Sequence, residues 1–242
     1  MRPVLILQHE AAQGPGYLLQ CLQSKDVPVH LLRPDQGEPL PRQMSAFSGL
    51  VVLGSDHSVH DRLSWIGAEQ ALMQDALRLS RPVLGHCFGA QQLARAMGAA
   101  VHRNPRPDIG WRELWITPTA RSLFGGQDHL LSFNWHYDSF QIPIGATRTL
   151  FGQHCLNKGF ALGPHLGLQS HLEITEHGLR QWCAEGRQAL RTGRSLTVQS
   201  ESEILSALPE RLARVRAAAG CLYQHWIGQL ALPPVFGRLR AA

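Results

Sequence analysis

Four short apolar runs punctuate the first third of the chain: Pro3 to Leu7, Val27 to Leu32, Gly49 to Leu53 and Pro82 to Leu84. Each is bounded by glycine, proline or polar residues, the pattern of a buried strand. Between them the apolar positions switch to helical spacing, over Tyr17 to Ser24, Ile66 to Leu79 and Ala90 to Met97. In the second of these, Leu72, Met73, Ala76 and Leu77 share one face. A proline-rich link, Pro34 to Pro41, separates the second run from the third. Strands alternating with helices at short spacing predict an α/β fold with a doubly wound, mostly parallel sheet and helices on both faces. Ligands bind such sheets at the carboxyl ends of the strands.

After Gly98 the pattern changes. Arg112 to Thr117, Leu130 to Trp135, Thr147 to His154 and Leu166 to Ser170 read as strands with no helix between them, which predicts a mixed or antiparallel extension of the sheet. From Glu176 the chain is helical again, over Leu179 to Leu190 and then Glu203 to Leu230 with a break near Leu208-Pro209. There is no internal repeat and no low-complexity linker, so one domain is expected over residues 1–232, followed by a poorly ordered tail at 233–242.

Within this pattern, residues 81–98 carry the strongest chemical signal: RPVLGHCFGAQQLARAMG places Cys87 on the turn between a strand and a helix. A side chain there stands at the carboxyl edge of the sheet, beside the first free N–H groups of the helix. That environment favours the thiolate, the reactive form of cysteine. Gly85 and Gly89 suit a tight elbow, where backbone approaches backbone. A buried structural cysteine at a βα junction is the competing reading.

Composition narrows the class without naming a function. With 242 residues, 44% hydrophobic and 17% charged, the chain has the length and balance of a globular domain with a sizeable core. The net charge of +5 rests on arginine, since Lys25 and Lys158 are the only lysines. Arg180, Arg187, Arg191 and Arg194 fall on one helical face, with Arg211, Arg214 and Arg216 further on. No aromatic residues interleave with that stripe, so a solvated or protein-docking face is expected rather than a nucleic-acid surface. Five cysteines with no CxxC pair argue against a disulfide framework or a zinc knuckle. His57 and His60 lack a third ligand nearby, and no metal or other cofactor is expected. Trp111, Trp115 and Trp135 read as core or pocket wall. The opening apolar run is too short for a signal peptide, and no stretch reaches the ~20 apolar residues of a membrane span, so a cytoplasmic protein without a membrane partner is expected.

A cysteine nucleophile needs a base, and the base an orienting group. Among thirteen histidines, the best candidate lies in GLQSHLEIT, residues 167–175. His171 and Glu173 stand two apart at a strand's end, where extended chain points both to one face. A carboxylate beside the imidazole fixes its tautomer and stabilises the imidazolium. A surface His/Glu pair is the alternative.

At this point a resemblance emerges. LGHCFGAQQLARAMG resembles the G-x-C-x-G-x-Q nucleophile motif of class I, triad-type glutamine amidotransferases, and GLQSHLEIT resembles their Q-F-H-x-E segment. VVLGSDHSVHD (51–61), PDIGWRELWIT (107–117) and NWHYDSFQIP (134–143) are similar, in order and spacing, to free-standing proteins related to the amidotransferase domain of GMP synthase. The resemblance implies a flavodoxin-like fold and hydrolysis of the glutamine side-chain amide. Cys87 would attack the amide carbon to give a γ-glutamyl thioester, with His171 as proton carrier and Glu173 orienting it. It further implies backbone N–H groups of Gly54 and Phe88 as the oxyanion hole, where one donor is typically worth ~2.7–4 kcal/mol. Gln91, His136, Tyr137 and Asp138 would line the substrate pocket, Asp138 facing the α-ammonium.

Three departures from the family pattern bear on the pocket: Ser55 for the second glycine of the oxyanion loop, Ser170 for the phenylalanine before the histidine, and Lys158 where relatives often carry glutamine. They suit a second expectation, a γ-glutamyl peptidase acting on glutathione-like or other γ-glutamyl compounds. A third is a catalytically dormant regulatory subunit. No GxxxxGK loop appears in the sequence, so an ammonia-accepting site is expected on a separate synthetase partner, docked on the arginine-bearing C-terminal helices.

Overall fold

The structure, a computed structural model, describes residues 1–192 and 195–231. The tail expected at 233–242, and Arg194 of the arginine stripe, lie outside the described residues. The first half of the chain runs β1 (Val4–Leu7), α1 (Gly16–Gln23), β2 (Val29–Leu32), β3 (Gly49–Val52), α2 (Ser64–Arg78), β4 (Val83–His86) and α3 (Phe88–Ala96). Then come β5 (Val101–Ile116), β6 (His129–Phe140), β7 (Thr147–Phe151), β8 (Gly159–Leu162) and β9 (His165–Leu168). Four helices close the described chain: α4 (Glu176–Glu185), α5 (Arg187–Thr192), α6 (Glu201–Leu205) and α7 (Leu208–Gln229).

Among the described residues the strands form one nine-stranded sheet, ordered β2-β1-β3-β4-β9-β8-β7-β5-β6. The first five strands in that order pair in parallel, and the remaining pairings are antiparallel. Alternation along β1 separates two cores. Val4 and Ile6 face a cluster with Leu18 and Leu22 of α1 and Tyr223 and Trp226 of α7. Leu5 and Leu7 face Leu72 and Met73 of α2 and Leu93 of α3. β1, β3, β4 and β9 are buried on both faces, which is why they read as unbroken apolar runs, whereas β2 at the sheet edge is partly exposed.

The sequence reading missed β8. GFAL is buried at only two of its four positions, so it lacks the unbroken apolar signal of β1 and β3, and it pairs antiparallel with β7 and β9 on either side. The helix expected over 179–190 is two helices, α4 and α5, parted at Gly186, against whose α-carbon the Trp135 ring packs. Trp115 is neither core nor pocket wall: it is 44% exposed and stacks on Phe151 near the sheet's antiparallel end. Between Arg103 and Asp108 the β5–β6 register slips, where Pro105 and Pro107 have no N–H to give the ladder.

Among the described residues, no helix is long and apolar enough to cross a membrane. The C-terminal arginines are largely engaged: Arg180 pairs with Glu176 and Arg214 with Glu113, Arg211 lies over Trp111, and Arg216 over Tyr17.

Candidate active site

β4 delivers Cys87 to the carboxyl edge of the sheet, and α3 begins at the next residue. Cys87 has φ 50° and ψ −109°, a left-handed conformation uncommon for a residue with a side chain. Such strain persists where the surroundings impose it. Here its N–H donates to Leu168 O of β9 at 2.7 Å, and the chain behind it is packed backbone on backbone. A Cβ on Gly85 would stand 2.5 Å from the carbonyl of Gly89, and one on Gly89 2.0 Å from the carbonyl oxygen of Val52. No side chain fits at either position.

His171 follows β9, held by its N–H to Phe133 O of β6 at 2.8 Å. Its Nδ1 lies 2.7 Å from Glu173 Oε1, with both residues buried, and its ring meets Trp182 edge-on at 4.7 Å. Cys87 lines the same cavity as His171, and its thiol donates to Trp135 O at 3.8 Å. Burial disfavours the imidazolium, but Glu173 and then Cys87 outweigh it and push the His171 pKa up to about 10. For Glu173, burial favours the acid form, yet the neighbouring His86 and His171 hold its carboxyl below the ordinary value. The sulfur also receives the side-chain amide of Gln169 at 3.6 Å.

A cavity of about 330 Å³ opens over the sulfur. Gln91, Phe88, His136, Tyr137 and Asp138 all line it, together with Ser55 of the loop after β3. Gly54 lies beside His171: a Cβ there would be 2.9 Å from His171 Cε1. The Gly54 carbonyl accepts a hydrogen bond from His9 Nδ1 at 3.0 Å, and His9 Nε2 lies 2.6 Å from Glu69 Oε1. With acceptors at both nitrogens His9 suits the imidazolium; burial opposes that charge and Glu69 outweighs it, so its pKa stands above the ordinary value. Gln91 donates to Asp138 O and to Gln169 Oε1, both at 3.2 Å. Asp138 is already met by Ser58 Oγ at 2.8 Å and Arg103 at 3.3 Å, so an incoming ammonium would share it. Arg103 also lies over the Tyr137 ring and lines the cavity, a role the sequence reading did not assign.

Lys158 is not a pocket residue. It is fully buried behind His136, its Nζ 2.6 Å from Asp108 Oδ2, 2.8 Å from Asn134 Oδ1 and 2.7 Å from His136 Nε2. His136 therefore accepts at Nε2 and donates from Nδ1 to Asp138 O at 2.9 Å, leaving neither nitrogen for a ligand. Burial and then the Lys158 charge hold its pKa down to about 4. His57 and His60 diverge, one to Asp61 and the other to the Val101 carbonyl. All five cysteines are free.

These shifts set a pH profile for folding. His136 and His165, the latter also held at about 4 by burial, refuse protons that the unfolded chain binds below about pH 6.5. Stability is therefore lost as pH falls from about 6.5 towards 4. The stabilisation from His171 runs the other way: complete below about pH 6.5 and lost as pH rises towards 10. Urea titrations at pH 4.5, 6.5 and 9 are expected to give the highest stability at 6.5; a monotonic trend would contradict these buried charge states.

The family model described as glutamine amidotransferase class-I matches residues 16–178, about two thirds of the chain and the whole of the candidate site from Gly54 to Glu173. The chain belongs to the class I glutamine amidotransferase family. A crystal structure of a glutamine amidotransferase from Methylobacillus flagellatus is similar to it over 98% of each chain, at 37% identity and a TM-score of 0.92. GMP synthase (glutamine-hydrolysing) of Aeropyrum pernix is 32% identical over 114 residues, 47% of this chain and 20% of that protein. Gamma-glutamyl peptidase 5 of Arabidopsis thaliana is 30% identical over 155 residues, 60% of this chain and 62% of that protein. The chain thus spans only part of these two curated relatives.

Proposed function

We propose that the protein hydrolyses the side-chain amide of glutamine through Cys87, His171 and Glu173. The observation that carries this reading is that the Cys87 elbow and His171 line one cavity, with His171 backed by buried Glu173 at 2.7 Å. With the proton on His171, the sulfur attacks the amide carbon as thiolate. The carbonyl electrons move to oxygen, held by backbone N–H groups of Gly54 and Phe88. The intermediate collapses, the C–N bond breaks, and His171 Nε2–H protonates the departing nitrogen, leaving a γ-glutamyl thioester and ammonia. His171, now neutral, takes a proton from water as the hydroxyl adds to the thioester; glutamate leaves and the thiolate–imidazolium pair returns. Gln91, Tyr137, Asp138 and Arg103 surround the amino-acid end, and His136 supplies a wall. The ammonia passes to an acceptor site on a separate synthetase in the cytoplasm.

A glutamine-like electrophile followed by mass spectrometry tests the nucleophile. One adduct on Cys87, absent in Cys87→Ala, is expected; labelling at Cys21 or Cys155 in its place would refute the assignment. Release of ammonia only in complex with a synthetase would mark an enzyme dormant without its partner.

One observation favours a second reading. Besides His171, the cavity is lined by Trp182, Glu185, Gly186 and Ala189 of the helical segment that follows. Trp182 packs edge-on against His171, the residue that protonates the leaving nitrogen, so these residues offer a wall for an amine larger than ammonia. The likeness to a γ-glutamyl peptidase accords with this. Parallel assays on glutamine and a γ-glutamyl dipeptide separate the two readings.

A further inference from the structure

The two residues proposed to hold the oxyanion, Gly54 after β3 and Phe88 at the start of α3, belong to different elements, and one side chain touches both. His9, just beyond β1, is fully buried. Its Nδ1 lies 3.0 Å from Gly54 O, and its ring meets the Phe88 ring edge-on at 5.1 Å. Behind it, α2 presents Trp65 and Glu69, one helical turn apart. Trp65 stacks on the imidazole at 4.9 Å, and Glu69 Oε1 lies 2.6 Å from Nε2. His9 precedes the segment that the family model matches.

The partners fix the imidazole and its protons. Gly54 O can only accept, so Nδ1 carries a hydrogen and donates it. Nε2 faces the Glu69 carboxylate, whose other oxygen is buried without a hydrogen-bond partner among the described residues. A buried carboxylate so placed holds strongly to the donor it has, which keeps the ring from turning. The restraint matters because of what stands at position 54. A Cβ there would crowd His171 Cε1 at 2.9 Å, so glycine leaves room for the proposed base. Glycine in turn leaves the backbone loose. The Leu53 N–H, bonded to Leu7 O at 3.0 Å, secures the chain on one side of Gly54, and His9 secures it on the other.

We infer that His9, held by Glu69, is a positioning residue for the oxyanion hole: it ties the Gly54 carbonyl to the Phe88 ring and so fixes the spacing of the two N–H donors. The inference rests on the proposed triad. Donors stabilise the charge that develops on the carbonyl oxygen best when they need not move to meet it. An untethered Gly54 would let its N–H drift, and its carbonyl oxygen, turned towards the substrate, would repel the oxyanion. His9 is not part of the cavity lining, so it acts through the backbone and not on the substrate.

Two reagents separate the hole from the nucleophile. A chloroketone with the amino-acid end of glutamine passes through an oxyanion, formed as sulfur adds to the ketone, before sulfur displaces chloride. Iodoacetamide loses iodide directly to the thiolate and forms none. Mass spectrometry at Cys87 follows both. His9→Leu is expected to lower kcat for amide hydrolysis and the chloroketone rate by about tenfold to a hundredfold, with KM and the iodoacetamide rate within about threefold. Glu69→Gln should stay within about threefold of wild type on every readout, because a neutral His9 still donates from Nδ1 while Nε2 accepts from the amide. An unchanged chloroketone rate in His9→Leu, or an iodoacetamide rate that falls equally, would overturn the inference. So would a Glu69→Gln protein as impaired as His9→Leu. If His9→Leu does not fold, His9→Asn and His9→Gln decide. The asparagine amide can take the place of Nδ1 and the glutamine amide that of Nε2, so a His9→Gln protein as reactive as His9→Asn would overturn it. Failure of both reagents to label Cys87 in the wild-type protein would instead sink the triad.

Discussion

Cys87→Ala will reduce kcat for amide hydrolysis by about 10⁴-fold or more while leaving glutamine bound, because it removes the only atom that can form the thioester. His171→Ala should be nearly as damaging, and the double variant no worse than either alone, since the two act as one unit. Glu173→Gln keeps the shape and removes the charge; a loss on the order of 10²–10⁴ in kcat is expected, with little change in KM. Steady-state rates with glutamine, paired with calorimetric binding to Cys87→Ala, check all three. If Cys87→Ala retained a tenth of the wild-type rate, the covalent route would be excluded. The His171 pKa of about 10 adds a pH signature: the imidazolium that protonates the leaving nitrogen persists through neutrality and is lost only on the alkaline side.

Lys158→Met carries the largest expected cost in stability, about 3–5 kcal/mol. The ammonium is saturated by Asp108, Asn134 and His136, all buried with it. Removing it leaves a buried carboxylate oxygen, an amide oxygen and an imidazole nitrogen without their donor. Asp108 keeps Arg112 on its other oxygen, at 2.8 Å, which softens the loss without cancelling it. Adding Asp108→Asn should recover about half of the stability by removing the stranded charge. Denaturant unfolding of both variants decides the matter: a change below about 1 kcal/mol in Lys158→Met would mean that the ammonium does not hold this cluster.

The parts of this protein legible in its sequence are those fixed by neighbours along the chain. Val4 to Leu7 and Gly49 to Val52 announce themselves as strands because both their faces are buried, and the elbow because glycines flank Cys87. His171 and Glu173 could be paired because only one residue separates them. What escaped notice is held by pairings distant in the chain. His9 meets Glu69 across 60 residues, Lys158 meets Asp108 across 50, and Tyr223 meets His86 across 137. No local pattern marks such partners. Lys158 in particular reads as a departure within the pocket, yet folding places it behind the wall, where it acts on His136 rather than on a ligand.

The twist of the main chain at the elbow also limits what protein engineers can install there. A positive φ at position 87, already uncommon for a residue with an unbranched side chain, is more strongly disfavoured for one branched at Cβ. Redesign towards an oxygen nucleophile therefore favours serine over threonine, whatever acid–base partners surround it.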